Sequence, residues 1–83
     1  MNSKRLSELI TVLLKIKTRK EMLDFLRGIL TPKELEELPT RLKIVKMLKK
    51  GITQEKIAKE LKVGIGTVTR GSNELKRGRF KNI

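Results

Sequence analysis

The sequence predicts an all-α fold: a small helical domain of five or six helices with a helix-turn-helix near its C-terminal end. Two observations carry that reading. Apolar residues recur three and four apart along most of the chain, and residues that start helices (Ser3, Thr18, Thr31-Pro32) punctuate it. The length, 83 residues, bounds it to one domain, 1–83, whose core is modest enough that dimerisation is expected as a further source of stability. Within it, residues 1–50 read as a helical dimerisation core, 53–76 as the helix-turn-helix and 77–83 as a basic tail.

Taken in order, residues 4–17 place Leu6, Leu9, Ile10, Leu13 and Leu14 on one helical face, with Ser3 as the expected N-cap. Thr18 opens a second helix and has Glu21 at the capping-box spacing. Met22, Leu23, Leu26, Ile29 and Leu30 form its stripe, and Gly28 is expected to weaken its last turn. Thr31 caps a third helix, with Pro32 at its first position and Glu34 adding negative charge to its first turn. Leu35, Leu38, Leu42, Val45 and Leu48 carry its stripe to Lys50, and Gly51 ends it. Pro39 falls inside this stripe, where it removes a hydrogen bond and crowds the preceding turn. A kink or a break into two helices is expected there, with both pieces facing one core.

Residues 53–76 read as two short helices joined by a tight turn. The first runs from Gln54 to about Leu61, with Ile57, Ala58 and Leu61 on one stripe. The second starts near Ile65, with Val68, Ser72 and Leu75 three or four apart. The small Ala58 lets the helices cross closely, Val63 plugs the corner, and Gly64 is expected to let the backbone re-enter a helix without steric cost. Lys62 stands where a left-handed Gly is common. A helix-turn-helix puts its second helix in the DNA major groove. The alternative is an αα-hairpin that only fills a core.

Composition narrows the function. Lys and Arg total 21 against nine acids, for a formal net charge of +12, which implies a polyanionic partner, either nucleic acid or an anionic membrane surface. Without Cys or His, thiolate chemistry, zinc fingers and imidazole catalysis drop out, and no metal site is expected. No Gly-rich phosphate loop or paired carboxylates appear, so no catalytic residue is expected and the chain does not read as an enzyme. No run approaches the roughly 18 apolar residues of a membrane span, and no signal-peptide core is present. A cytoplasmic protein without a membrane partner is expected.

The run LTPKELEELPTRLKIVKMLKKG followed by TQEKIAKELKVGIGTVTRGSNELK resembles the tryptophan repressor family over about residues 30–76, as a short member. Its most specific parts are Leu30-Thr31-Pro32, Thr40-Arg41, and Thr69-Arg70-Gly71-Ser72-Asn73 with Leu75-Lys76. The resemblance implies an intertwined homodimer whose N-terminal helices share a core, with two helix-turn-helix heads meeting successive major grooves of double-stranded DNA. Phe80 and Ile83 offer a small contact in place of a long final helix, while the tail reads equally as a disordered phosphate-binding arm.

For DNA, the backbone N–H groups from about Gly64 to Gly66 are placed to hold a phosphate at a helix N-terminus. Ile65, Gly66 and Thr69 match positions that approach base edges in the family; Ile65 and Val68 have core packing as the alternative role. Gln54, Thr67, Arg70 and Lys76 complete the candidate DNA-binding set. Two departures stand out: Glu55 replaces a basic residue after the Gln, and Ala58 replaces a Lys.

The resemblance also implies a ligand site. In tryptophan repressors the indole lies between two arginines, and Arg41 and Arg70 stand at those places, with Leu30, Thr31 and Gly71 at lining positions. Glu74 replaces a serine that faces the ligand's ammonium group. It is expected either to pair with that group or to pair internally with Arg70 or Arg41. No cofactor is expected beyond a small-molecule effector, L-tryptophan or another small amino acid as corepressor. The alternative is that Arg41 and Arg70 only hold the reading head and touch phosphate. The function that follows is a sequence-specific DNA-binding repressor; a nonspecific architectural nucleic-acid binder without effector is the alternative.

Overall fold

The computed structural model describes residues 2–83, and among them it contains five helices and no strand: α1 (Ser3–Lys15), α2 (Arg19–Ile29), α3 (Pro32–Lys49), α4 (Gln54–Leu61) and α5 (Ile65–Lys76). Packing divides the chain into two compact units, one ending at Leu35 and one beginning at Glu36.

The first unit is ordered by its caps. Asn2, not Ser3, caps α1: its Oδ1 accepts from the N–H groups of Lys4 at 3.0 Å and Arg5 at 3.1 Å. The amide oxygen, one residue earlier than expected, serves two of the helix's orphan donors. Thr18 caps α2 as expected, its Oγ1 accepting from the Glu21 N–H at 3.1 Å. This helix ends at Ile29, one residue beyond Gly28, and closes with the Leu30 N–H donating to the Leu26 carbonyl at 2.9 Å. A full reciprocal capping box forms at α3, where the Thr31 N–H donates to Glu34 Oε1 at 2.9 Å and the Glu34 N–H donates to Thr31 Oγ1 at 3.2 Å. That bond to the backbone of Thr31, helped by its hydroxyl, holds the Glu34 carboxyl below its ordinary value of 4.5. Neither α1 nor α2 buries a single residue, and Leu6, Leu9, Ile10, Leu14 and Leu23 stay exposed.

Helix α3 runs through Pro39 without a break, so the described residues form five helices rather than six. Proline has no N–H to give the Leu35 carbonyl, and the division between the units falls directly after Leu35.

The second unit holds the core. Ile44 and Met47 of α3, Ile57 of α4 and Val68 of α5 pack together, with Leu48, Ile52, Ala58, Leu61 and Val63 against them. The α3 stripe differs from expectation: Leu38 and Leu42 are exposed, while Ile44 and Met47 face α4 and α5. α3 therefore has two apolar sides, one in the core and one beside it. Gly51, at φ 82°, closes α3 in a Schellman motif, with the Gly51 N–H donating to the Leu48 carbonyl at 2.9 Å and the Ile52 N–H to the Met47 carbonyl at 3.2 Å. Thr53 Oγ1 then caps α4 through the Lys56 N–H at 3.3 Å.

The left-handed residue of the helix-turn-helix is Lys62, at φ 55° and ψ 45°. Gly64, at φ −68° and ψ 146°, has ordinary extended backbone, so its expected role in easing the turn is corrected: the turn places its strain on Lys62. With Lys62 in that conformation, the Val63 N–H reaches the Ala58 carbonyl at 3.1 Å, and Val63 packs against the core as the corner plug.

Candidate nucleic-acid interface and the adjoining groove

Helix α5 has Val68 fully buried, and a helix of 3.6 residues per turn then carries Ile65, Gly66, Thr69, Asn73 and Lys76 along another side. Ile65 is 50% exposed while Val68 is 0% exposed, so Ile65 points outward and Val68 fills the core. At the start of α5, Gly64 provides no side-chain cap. The N–H groups at this positive end of the helix dipole are therefore available to an anion. A Cβ built on Gly64 or Gly66 would meet nothing within 4 Å. The missing side chains leave open space in front of the helix rather than relieving any crowding inside the chain.

Gln54 and Thr69 do not stand apart. The Thr69 hydroxyl donates to Gln54 Oε1 at 2.8 Å, tying the first residue of α4 to the middle of α5. Thr67 and Arg70 lie on another side of α5, where they border a groove with Arg41. Lys76 is exposed in the last turn of α5.

That groove encloses about 580 Å³ between α3 and α5. Leu38, Leu42, Ile44 and Val45 form its apolar floor and sides, and Arg41, Arg70, Gly71 and Glu74 border it. Gly71 has a structural task as well: a Cβ there would lie 3.3 Å from Ile44 Cγ2 and 3.5 Å from Leu48 Cδ1. Glycine is what lets α5 approach α3 so closely. Arg41 pairs loosely with Glu37 at 3.7 Å, both side chains being well exposed. Leu30 and Thr31 belong to the first unit, where both serve as caps.

Glu74 does pair internally, but not with Arg70 or Arg41. It accepts from Arg77 at 2.9 Å and from Arg79 Nε at 3.2 Å, and the Arg79 N–H donates to its carbonyl at 3.1 Å. Arg77 follows Glu74 by three residues, within helical pairing distance, and Arg79 by five, beyond the end of α5. The tail is folded rather than a disordered arm. Gly78 at φ 94° and Phe80 at φ 62° turn it back, Lys49 Nζ donates to the main-chain oxygens of Phe80 and Ile83, and Arg79 and Phe80 form part of the groove wall.

The residues that sequence reasoning missed are Asn73, one turn beyond Thr69 on the same side, and the groove residues Leu38, Leu42, Arg79 and Phe80. The spacing of Thr69 to Asn73 was a sufficient signal for the first. Nothing in the sequence signals the tail's return to Lys49. Among the described residues no group of acids could hold a metal ion, and no helix is long and apolar enough to cross a membrane. Compared with known proteins, residues 4–81 match the family described as Trp repressor protein. No curated protein matches the chain closely.

Proposed function

The chain belongs to the Trp repressor family, a family of DNA-binding regulators rather than enzymes, and from that premise we propose that it is a sequence-specific repressor. It binds double-stranded DNA as a homodimer in the cytoplasm and blocks a promoter by occupying it. The observation that carries this reading is the exposed side of α5, with Ile65, Gly66 and Thr69 beside a helix N-terminus that has no side-chain cap, on a chain of net charge +12. Gln54, Gly64, Ile65, Gly66 and Thr69 contact the groove and its nearest phosphates; Thr67, Arg70 and Lys76 add flanking phosphate contacts. The exposed apolar sides of α1 and α2 support the dimer, since two helices that bury nothing gain most from a second copy.

The groove bordered by Arg41, Arg70, Gly71 and Glu74 is the proposed effector site. Planar guanidinium groups stack on rings and grip carboxylates, which favours an aromatic amino acid, L-tryptophan first. Glu74 is already held by Arg77 and Arg79, so an incoming ammonium group has to displace them. Selection of bound fragments from random duplexes, with and without a panel of amino acids, tests the whole proposal. A palindromic motif with two half-sites one helical turn apart, sharpened by one amino acid, is expected. Equal binding to every duplex would favour the architectural alternative, to which the high net charge also lends itself. Titration calorimetry with millimolar tryptophan that gives no heat and no thermal shift removes that effector.

A further inference from the structure

We propose that Gln54 and Thr69 act as one reading unit that accepts adenine and rejects guanine at one base pair in each half-site. The inference rests on the reading of α5 as a major-groove helix. A threonine hydroxyl has a single hydrogen, and Thr69 spends it on Gln54 Oε1 at 2.8 Å. Toward any outside partner, Thr69 Oγ1 is thereby an acceptor only. The Gln54 amide takes that hydrogen on its oxygen, which leaves its NH₂ as the donor for an outside partner. Neither group is loose. Gln54 is the first residue of α4, whose Ile57 is fully buried, and Thr69 follows the fully buried Val68. Both side chains are half-buried, so the donor and the acceptor sit side by side at a fixed spacing.

An adjacent donor and acceptor is the complement of one major-groove edge. Adenine shows an acceptor at N7 and a donor at N6, whereas guanine shows acceptors at both N7 and O6. Gln54 NH₂ donates to N7 and Thr69 Oγ1 accepts from N6. With guanine, O6 meets the Thr69 lone pairs and one bond is replaced by repulsion. A lone Thr69 would not discriminate, because an unconstrained hydroxyl rotates to donate or accept. The bond across the two helices is what sets its direction.

The test is selection from random duplexes by the full chain, followed by binding to the selected site and its adenine-to-guanine variants. Wild type is expected to prefer adenine at one position per half-site by about 5- to 150-fold. Thr69→Ser keeps the hydroxyl and the preference. Thr69→Val, nearly the same shape, flattens it. Gln54→Glu still accepts from Thr69 but offers no donor, and it moves the preference towards cytosine. This variant places an acid at a helix N-terminus, where it favours folding, and a thermal melt of each variant separates folding from reading. A motif that Thr69→Val and Gln54→Glu both leave unchanged, or a guanine at that position in wild type, overturns the pairing and leaves the major-groove reading intact. If wild type selects no motif, the major-groove reading falls and the pairing with it.

Discussion

The carboxylate of Glu34 accepts a hydrogen bond from the Thr31 backbone and returns one through its own N–H, so the start of α3 is coupled to its charge. Its folded pKa lies below the ordinary 4.5. The stabilisation is therefore complete above about pH 4.5 and is lost as pH falls through the lower folded value. In a carboxyl titration followed by NMR, Glu34 is expected at a midpoint below the ordinary 4.5, and Thr31→Ala, which removes the hydroxyl's share of the hydrogen bonding, should raise it. A second contrast separates two glycines of α5. Gly66→Ala meets open space and should gain helix propensity, at most about 1 kcal/mol. Gly71→Ala gains the same propensity but pushes against Ile44, which is 1% exposed, so it should show little or no gain. Thermal melts of the two variants check this; equal stabilisation would mean that α5 can slide away from α3. Individual candidates for the site stood out in the sequence, because Thr69, Arg70 and Gly71 lie in a specific string. Their pairings did not. The bond from Thr69 to Gln54 spans 15 residues and that from Lys49 to Phe80 spans 31, and no local pattern reports contacts of that reach.

Elements were more legible than pairings, for a physical reason. α4 and α5 begin and end where expected because the turn between them is short and each helix has one buried anchor, Ile57 or Val68. The cap of α1 was missed because Asn2 and Ser3 are both good capping residues, and only geometry chooses between neighbours. The break expected at Pro39 does not occur, because a continuous helix tolerates one absent bond when the turns around it hold. Lys62 adopts a left-handed conformation at a cost of roughly 1–2 kcal/mol that glycine avoids. Lys62→Gly should therefore raise unfolding stability by about 1 kcal/mol, read from chemical denaturation. Ile57→Ala should have the opposite and larger effect. It opens a cavity in a core built around four residues, Ile44, Met47, Ile57 and Val68, and removal of a buried isoleucine costs about 2–5 kcal/mol. Loss of cooperative melting in that variant is the expected result; a shift of only a degree or two would mean that the core is easily repacked.

For the molecule as a whole, charge and apolar exposure govern behaviour together. A net charge of +12 predicts binding to duplex DNA whose log K falls with log salt by about 0.9 for each phosphate contact. A dimer with three contacts per head would show a slope near about −5, measurable by fluorescence anisotropy across a salt series. The exposed Leu9 and Ile10 of α1, 36% and 48% accessible, are expected to lie in the dimer contact, where full burial of such a side chain contributes about 1.5–3 kcal/mol. Ile10→Asp should shift sedimentation toward monomer and abolish preference for a palindrome while leaving the melting of the core around Ile57 intact. The same small core has one more consequence, which follows from its single sulfur. The chain contains no cysteine, so Met47, only 5% exposed, is the one readily oxidised atom in the centre of the head. Peroxide can reach that thioether only when the three helices part, and the sulfoxide is too polar to be re-enclosed comfortably. The rate at which this methionine takes up oxygen should thus serve as a clock for transient opening, ticking more slowly whenever operator DNA holds the helices shut.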